Sequence, residues 1–307
     1  MSMNLRLGTR ASTLATTQSG MVADDIVARA AVRGVEVTVE LVEISTKGDR
    51  TQGSLVGLSE VGVFVNALRD ALLNDECDLI VHSLKDMPVG AHPELDLVAV
   101  TEREDVRDAL CGGGLTLAEL PEGARVGTSS PRRAAQVRAL RPDLEVADLR
   151  GNVDSRLARV GNDFDAVILA AAGLARLGRS DEVSEFFTTT QMVPAPGQGA
   201  LGVEIRADAA AEIAEVVGAV NHPHTRAAVT AERTMLEVLE AGCATPVAAH
   251  AVVVGNTLRL TTRVTNLTGT LVLNETDSGS VADAGSVGRS AGWALMGRGA
   301  ARLMGRS

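Results

Sequence analysis

Aromatic residues are nearly missing from this 307-residue chain: they make up 2% of it, as four Phe and one Trp with no Tyr. That scarcity removes the stacking platforms on which single-strand nucleic-acid binders rely. A formal charge of −10 argues equally against non-specific attraction to a polyanion, so no nucleic-acid partner is expected. There are three cysteines, Cys77, Cys111 and Cys243, too few and too scattered for a disulfide framework or a zinc site. Long hydrophobic runs are absent as well. The longest, Ala166–Ala175, is interrupted at Gly173, and about 20 residues are needed to cross a bilayer. Met1–Arg10 has no apolar core of signal-peptide length, so the expectation is a cytoplasmic protein with no membrane partner. The five His show no His-Glu-x-x-His spacing, and no metal is expected. The only two lysines, Lys47 and Lys85, follow Thr46 and Leu84, which excludes a Walker A loop.

The rest of the composition is that of a globular protein, 45% hydrophobic and 22% charged. At roughly 150 residues per domain, the length accommodates two or three cores. Twenty-seven of the 29 basic residues are Arg, so a site that grips carboxylates will do so with guanidinium forks.

The first third alternates strand-like and helix-like segments. Leu5–Leu7, Val35–Ile44, Leu79–Val81 and Leu95–Val100 read as strands, and Ser12–Arg33 and Phe64–Leu73 have helical spacing. This is the rhythm of a largely parallel sheet. Thr101–Asp108, rich in charge, reads as a crossing between domains. The rhythm then resumes with strands at Arg125–Gly127, Leu144–Ala147 and Ala166–Leu169 and helices at Arg132–Leu140 and Val153–Val160. Met192–Gly199 reads as a return crossing, after which Ala200–Ile205 would rejoin the first sheet. Gly197-Gln-Gly-Ala-Leu-Gly202 matches G-x-G-x-x-G but precedes a strand, so it does not read as a dinucleotide site. From His224 onward the pattern changes to a long helix, Thr225–Glu240 with Gly242 as its terminator. Strands follow at Val247–Val254, Thr257–Val264 and Thr270–Leu273, then a helix after Val281, as in a small antiparallel α+β domain.

Chemistry concentrates in turns at strand ends. In Gly127-Thr-Ser-Ser-Pro-Arg-Arg133, Ser130 suits an N-cap and Pro131 the first helical position. Arg132 and Arg133 then add charge to a helix N-terminus that already attracts anions. Thr9-Arg10-Ala11-Ser12 and Leu149-Arg150-Gly151-Asn152, with Arg156 one turn on, repeat the arrangement. Singly, each also reads as a surface charge, and so does Arg176. Together they count for more: residues 125–159 hold eight Arg against four acidic residues inside an acidic protein, which suits a small polycarboxylate or phosphate ester. Val81-His-Ser-Leu-Lys-Asp-Met-Pro88 follows a buried strand and so lies at a carboxyl end, where open α/β sheets bind ligands. There Asp86 suits an acid/base or a stabiliser of positive charge, and Lys85 a carboxylate partner or a Schiff-base amine. Cys243 lies in a loop without large apolar neighbours, which suits covalent attachment.

Taken in order, Gly8-Thr-Arg-Ala-Ser12, Lys47-Gly-Asp49, Val81–Pro88, Gly127–Arg133, Leu149–Asn152, Ala171-Ala-Gly-Leu-Ala-Arg176, Pro196-Gly-Gln-Gly-Ala200 and Gly242-Cys-Ala-Thr-Pro246 resemble the porphobilinogen deaminase (hydroxymethylbilane synthase) family from about Leu5 to Ala249. The resemblance implies an α/β protein of two doubly wound, periplasmic-binding-protein-like domains plus a small C-terminal α+β domain. Domain 1 would take residues 1–101 and 201–220, domain 2 residues 106–196 and domain 3 residues 223–307. It further implies a dipyrromethane cofactor in thioether linkage to Cys243 and a monomer acting on porphobilinogen. The substrate would lose ammonia to give an azafulvene-type cation, which the growing chain attacks. Four rounds followed by water would give hydroxymethylbilane. Asp86 and Lys85 would be catalytic. Ser83, Lys85, Asp86, Ser129, Arg132, Arg133 and Arg150 would hold the cofactor, and Arg10, Ser12, Arg150, Arg156 and Arg176 the substrate. Phe64 would serve as a lid. Family members carry lysines in the loop before Gly-x-Phe, whereas Gly57–Phe64 has none. Two other classes fit the residues less fully. A bilobed binding module for small polycarboxylates would need neither Cys243 nor Asp86, and a Schiff-base lyase would depend on Lys85.

Overall fold

A computed structural model describes residues 2–44, 60–242 and 244–306, the side chains of 60–64 excepted. Three of the sequence expectations lie outside those residues: the Lys47-Gly-Asp49 motif, the Phe64 lid and Cys243. In chain order the first stretch forms β1 (Ser2–Thr9), α1 (Thr13–Val32), β2 (Glu36–Glu43), α2 (Glu60–Leu73), β3 (Leu79–Ser83) and β4 (Leu95–Val100). Then come β5 (Asp108–Cys111), β6 (Arg125–Gly127), α3 (Pro131–Leu140), β7 (Glu145–Ala147), α4 (Val153–Leu157), β8 (Ala166–Ala170), α5 (Ala171–Arg176) and β9 (Glu185–Phe186). The last part holds β10 (Leu201–Arg206), α6 (Ala211–Gly218), α7 (Pro223–Val238), β11 (Val247–Val254), β12 (Thr257–Thr265), β13 (Val272–Ser280), α8 (Ala284–Gly297) and α9 (Ala300–Leu303).

The chain divides into two compact units, Met1–Arg103 with Ala200–Arg226, and Glu104–Gly199 with Ala227–Ser307. The first unit is built on a sheet of order β2-β1-β3-β10-β4. β1 pairs in parallel with β2 and β3, while β10, arriving from the far end of the sequence, runs antiparallel between β3 and β4. The return of residues 200–205 to the first sheet is therefore as the sequence implied. Both faces of this sheet are covered. Leu5, Leu7, Val22, Ile26, Leu79, Val203 and Val217 pack on one side, and Leu68, Leu72, Cys77 and Ile80 on the other, which is why Leu79-Ile-Val81 of β3 is apolar without a break.

The second unit carries a sheet of order β7-β6-β8-β5-β9 and a separate antiparallel sheet β11-β12-β13. Alternate residues of β8 again serve two cores, Ala166 and Ile168 one and Val167 and Leu169 the other. The β11–β12 hairpin turns on Gly255-Asn256, with Val254 opposite Thr257 and Gly255 at φ +59°. A positive φ at a central position is what a tight hairpin requires.

Polar groups are also built into the core. In the first unit the Glu204 carboxylate accepts from Arg69 Nε (2.9 Å) and Nη2 (2.6 Å) and lies 3.1 Å from His82 Nε2. All three side chains are nearly inaccessible. Burial alone would push the Glu204 carboxyl up, but its bonds to His82 and Arg69 hold it down at about 2. A carboxyl depressed on folding adds stability that is complete above its ordinary value, 4.5 here, and that fades as pH falls toward 2. Glu204→Gln is expected to lose roughly 3 kcal/mol at pH 7 by leaving Arg69 buried without its counter-charge. That deficit should shrink steadily below pH 4.5. Urea titrations of both proteins at several pH values would show it, and a deficit constant down to pH 3 would contradict this role.

Candidate active site

β1 and β3 are parallel neighbours, with Leu7 opposite Leu79 and Gly8 opposite Ile80. The turns that follow them, Thr9–Ser12 and Ser83–Asp86, therefore leave the sheet along one edge. Close approach at this edge requires a glycine in β1, since a Cβ on Gly8 would lie 2.8 Å from Cys77 Sγ. After β3 the chain makes a single tight turn, Leu84–Asp86, pinned by Leu84 N–H to Ala200 O (3.0 Å) and Met87 N–H to Leu84 O (3.2 Å). Leu84 is fully buried and anchors the turn, which leaves Lys85 and Asp86 half-buried at its rim. Gly202 of β10 makes room for it: a Cβ there would stand 2.7 Å from Leu84 Cδ1 and 3.0 Å from Met87 Sδ. Among the described residues no group hydrogen-bonds the Asp86 carboxylate.

The neighbouring turn presents Arg10 and Ser12, both half-buried. Ser12 occupies the position before α1 without capping it through its side chain. Two partners here carried no mark in the sequence. Gln18 of α1, buried, accepts from Ser83 Oγ at 3.2 Å, and Ser19 Oγ donates to Thr9 Oγ1 at 2.9 Å. Together they tie α1 to the ends of β3 and β1.

In the second unit the equivalent edge gathers the Arg-bearing turns. β6 ends at Gly127, where a Cβ would lie 2.6 Å from Leu149 Cδ2 and 2.9 Å from Phe164. Ser130 then caps α3, its side chain accepting from Arg133 N–H at 3.4 Å, with Pro131 at the helix start. Asn152 caps α4 in the same way, accepting from Ser155 N–H at 2.8 Å. Ser129 and Arg150 are exposed and Arg156 is half-buried. Arg150 Nε lies 3.2 Å from Asp148. Arg176, at the end of α5, donates from Nη2 to Gly199 O (2.7 Å), while its buried Nε finds no partner among the described residues. Burial lowers the pKa of this guanidinium, with Glu104 opposing the shift.

Arg132 and Arg133 differ from the picture of two outward forks. They are 4% and 6% exposed, and both reach the carboxylate of Asp108. The excess of positive charge counted over residues 125–159 is therefore partly met inside the fold, by an acid outside that segment. The physical reason is burial: a guanidinium withdrawn from water needs a counter-charge close by.

Cys77 and Cys111 are buried, and burial pushes both thiols up to about 11. Neither is suited to nucleophilic attack at neutral pH. The helix before residue 243 stops earlier than its periodicity suggested. α7 ends at Val238, and it is Glu240, at φ +48°, rather than Gly242 that takes the left-handed conformation. Gly242 instead offers its carbonyl to Thr245 N–H (3.0 Å) and Oγ1 (2.5 Å). The G-x-G-x-x-G match has a structural use. Gly197 and Gly199 both have positive φ in the turn before β10, and Gly197 N–H donates to buried Glu232 at 2.7 Å.

No helix among the described residues is long and apolar enough to cross a membrane. A family profile described as "Porphobilinogen deaminase, dipyromethane cofactor binding domain" matches residues 5–214, and another, "Porphobilinogen deaminase, C-terminal domain", matches residues 226–297. The chain is 53% identical over 265 residues to a porphobilinogen deaminase of Leifsonia xyli subsp. xyli, covering 85% of this chain and 79% of that one. It is 48% identical over 306 residues to that of Acidothermus cellulolyticus, covering 98% and 91%. With that of Corynebacterium glutamicum it shares 45% over 308 residues, covering 99% of both. Among solved structures, the lipoprotein Tp32 of Treponema pallidum aligns over 71% of this chain and 90% of its own, at 11% identity and a TM-score of 0.44.

Proposed function

The chain belongs to the porphobilinogen deaminase family, and from that premise we propose that it joins four porphobilinogen molecules head to tail, with loss of ammonia, into the linear tetrapyrrole hydroxymethylbilane. The observation that carries this reading is the pairing, along one sheet edge, of the Lys85-Asp86 turn with the Arg10-Ser12 turn.

The donor set suits a chain of pyrroles bearing carboxylates. Asp86 offers an acceptor for ring N–H groups, and Arg176 keeps a buried guanidinium N–H without an acceptor among the described residues. Ser83, Lys85, Asp86, Ser129, Arg132, Arg133 and Arg150 would hold the dipyrromethane, with Cys243 as its point of attachment. When bound, that group supplies a nucleophilic pyrrole carbon tethered to the protein. Arg10, Ser12, Arg150, Arg156 and Arg176 would take the acetate and propionate of the incoming substrate. Each charge-assisted hydrogen bond is worth about 1.5–3 kcal/mol, so several suffice to hold a polycarboxylate on a protein of net charge −10. Asp86, ionised, would stabilise the positive charge that develops on the substrate as its amine departs. Lys85 would neutralise a carboxylate beside it.

Incubation with porphobilinogen tests the reading. Four ammonia should be released per tetrapyrrole formed, and borohydride should trap no adduct on Lys85. Binding of porphobilinogen without ammonia release would favour a carboxylate-binding module instead, and a reduced Lys85 adduct would favour a Schiff-base mechanism.

A further inference from the structure

We propose that Asp108 is a positioning residue that aims Arg132 and Arg133 at the carboxylates of the bound pyrroles, an inference that rests on the function proposed above. Asp108 opens β5, which runs antiparallel to β8 with Asp108 opposite Ala170. It thus stands at the sheet end where the β6 turn and α5 begin, and it is completely buried. Arg132 and Arg133 are consecutive in the first turn of α3, so their side chains leave the helix about 100° apart. Nevertheless both guanidiniums converge on the one carboxylate. Arg132 Nη1 donates to Oδ2 at 2.6 Å and its Nη2 to Oδ1 at 3.2 Å. From Arg133, Nε and Nη2 reach Oδ1 at 2.8 Å and 2.7 Å.

Backbone acceptors complete the clamp. Arg132 Nη1 also donates to Val193 O (2.9 Å) and Arg133 Nη1 to Ile168 O (3.1 Å). Gln198, from the turn before β10, donates to Asp108 Oδ1 (3.0 Å) and to Val106 O (2.7 Å). With every contact counted, Arg132 keeps its Nε–H and one Nη2–H without an acceptor among the described residues. A 4%-exposed guanidinium held this firmly, with donors left over, is arranged to receive an anion. Burial would raise the Asp108 carboxyl, but the two guanidiniums and Gln198 hold it far below the ordinary carboxylate range. The clamp therefore stays ionised across the working pH range.

The test is Asp108→Asn, which keeps the size of the side chain but replaces one acceptor with a donor facing the guanidiniums. The protein is expressed, checked for folding by circular dichroism and thermal melting, and incubated with graded porphobilinogen. Intact mass then follows the rate at which chains acquire the pyrrolic increment. A positioning role predicts that the half-saturating porphobilinogen concentration for gaining the two-pyrrole primer, which Arg132 and Arg133 would hold, rises about tenfold, with the plateau rate within about threefold, as expected when groups that bind ground state and transition state alike are misaligned. A lower melting temperature with an unchanged concentration dependence would make Asp108 a brace only and overturn the proposal. Should the Asn variant not fold, Gln198→Met removes one bond to Asp108 without stranding a charge. It should raise the same concentration about two- to threefold, and no change would again overturn the proposal. If the unsubstituted chain acquires no increment at all, the function proposed above falls, and that result needs no variant to be seen.

Discussion

Asp86→Asn is expected to yield a folded protein that carries the pyrrolic adduct but scarcely turns over. The substitution keeps the shape of the side chain and one acceptor oxygen, so contacts to ring N–H groups largely persist. What it removes is the negative charge at the rim of the Leu84–Asp86 turn. Positive charge develops on the substrate as ammonia leaves, and a preorganised counter-charge in a partly desolvated site typically contributes a factor of about 10²–10³ in rate. Turnover should fall by at least that much at saturating porphobilinogen. The turn is fixed by backbone bonds to Ala200 and Leu84 and by buried Leu84 rather than by the Asp86 side chain, so folding should be unaffected. Ammonia release within about threefold of the unsubstituted enzyme would remove Asp86 from the chemistry.

Cys243→Ala should have an effect as large by a different route. Here no pyrrolic increment is expected and no tetrapyrrole should form, because there is no tether on which to build one. The substitution removes a single sulfur atom, so the variant should fold, as circular dichroism would verify. The two variants separate the rival classes. A Schiff-base enzyme would survive loss of Cys243, and a carboxylate-binding module would keep its affinity in both.

Much of the architecture can be read from the apolar pattern alone, because β3 and β8 stand out as unbroken apolar runs and β2 as a clean alternation. The elements that escaped did so for local reasons. β5 is four residues long and begins with the charged Asp108, which ends the crossing segment in the sequence and opens a fully buried strand in the fold. β13 runs to Ser280 through Asn274-Glu-Thr-Asp-Ser-Gly, residues that, Thr276 apart, have little intrinsic strand preference. It is held by its register against β12 along an edge.

The site divides along similar lines. Turn chemistry pointed to Ser130 and Pro131, and each stands where capping rules put it; the Asn152 cap emerges only in the fold. The partners that give those turns their meaning, Asp108 for Arg132 and Arg133 and Gln18 for Ser83, are distant in sequence and look like any other acid or amide. Pairings of that kind are set by strand order, which no local pattern encodes. Cys243 was singled out by a loop context and by resemblance to a family, and it carries the heaviest part of the functional reading.

The decisive measurement is therefore the mass of the purified, unsubstituted protein, followed by mapping of the peptide that spans Glu240–Pro246. Covalent priming predicts a stoichiometric increment of two pyrrole units on Cys243, lengthening by one unit at a time when porphobilinogen is added. An unmodified thiol in protein that nevertheless produces tetrapyrrole would contradict it outright.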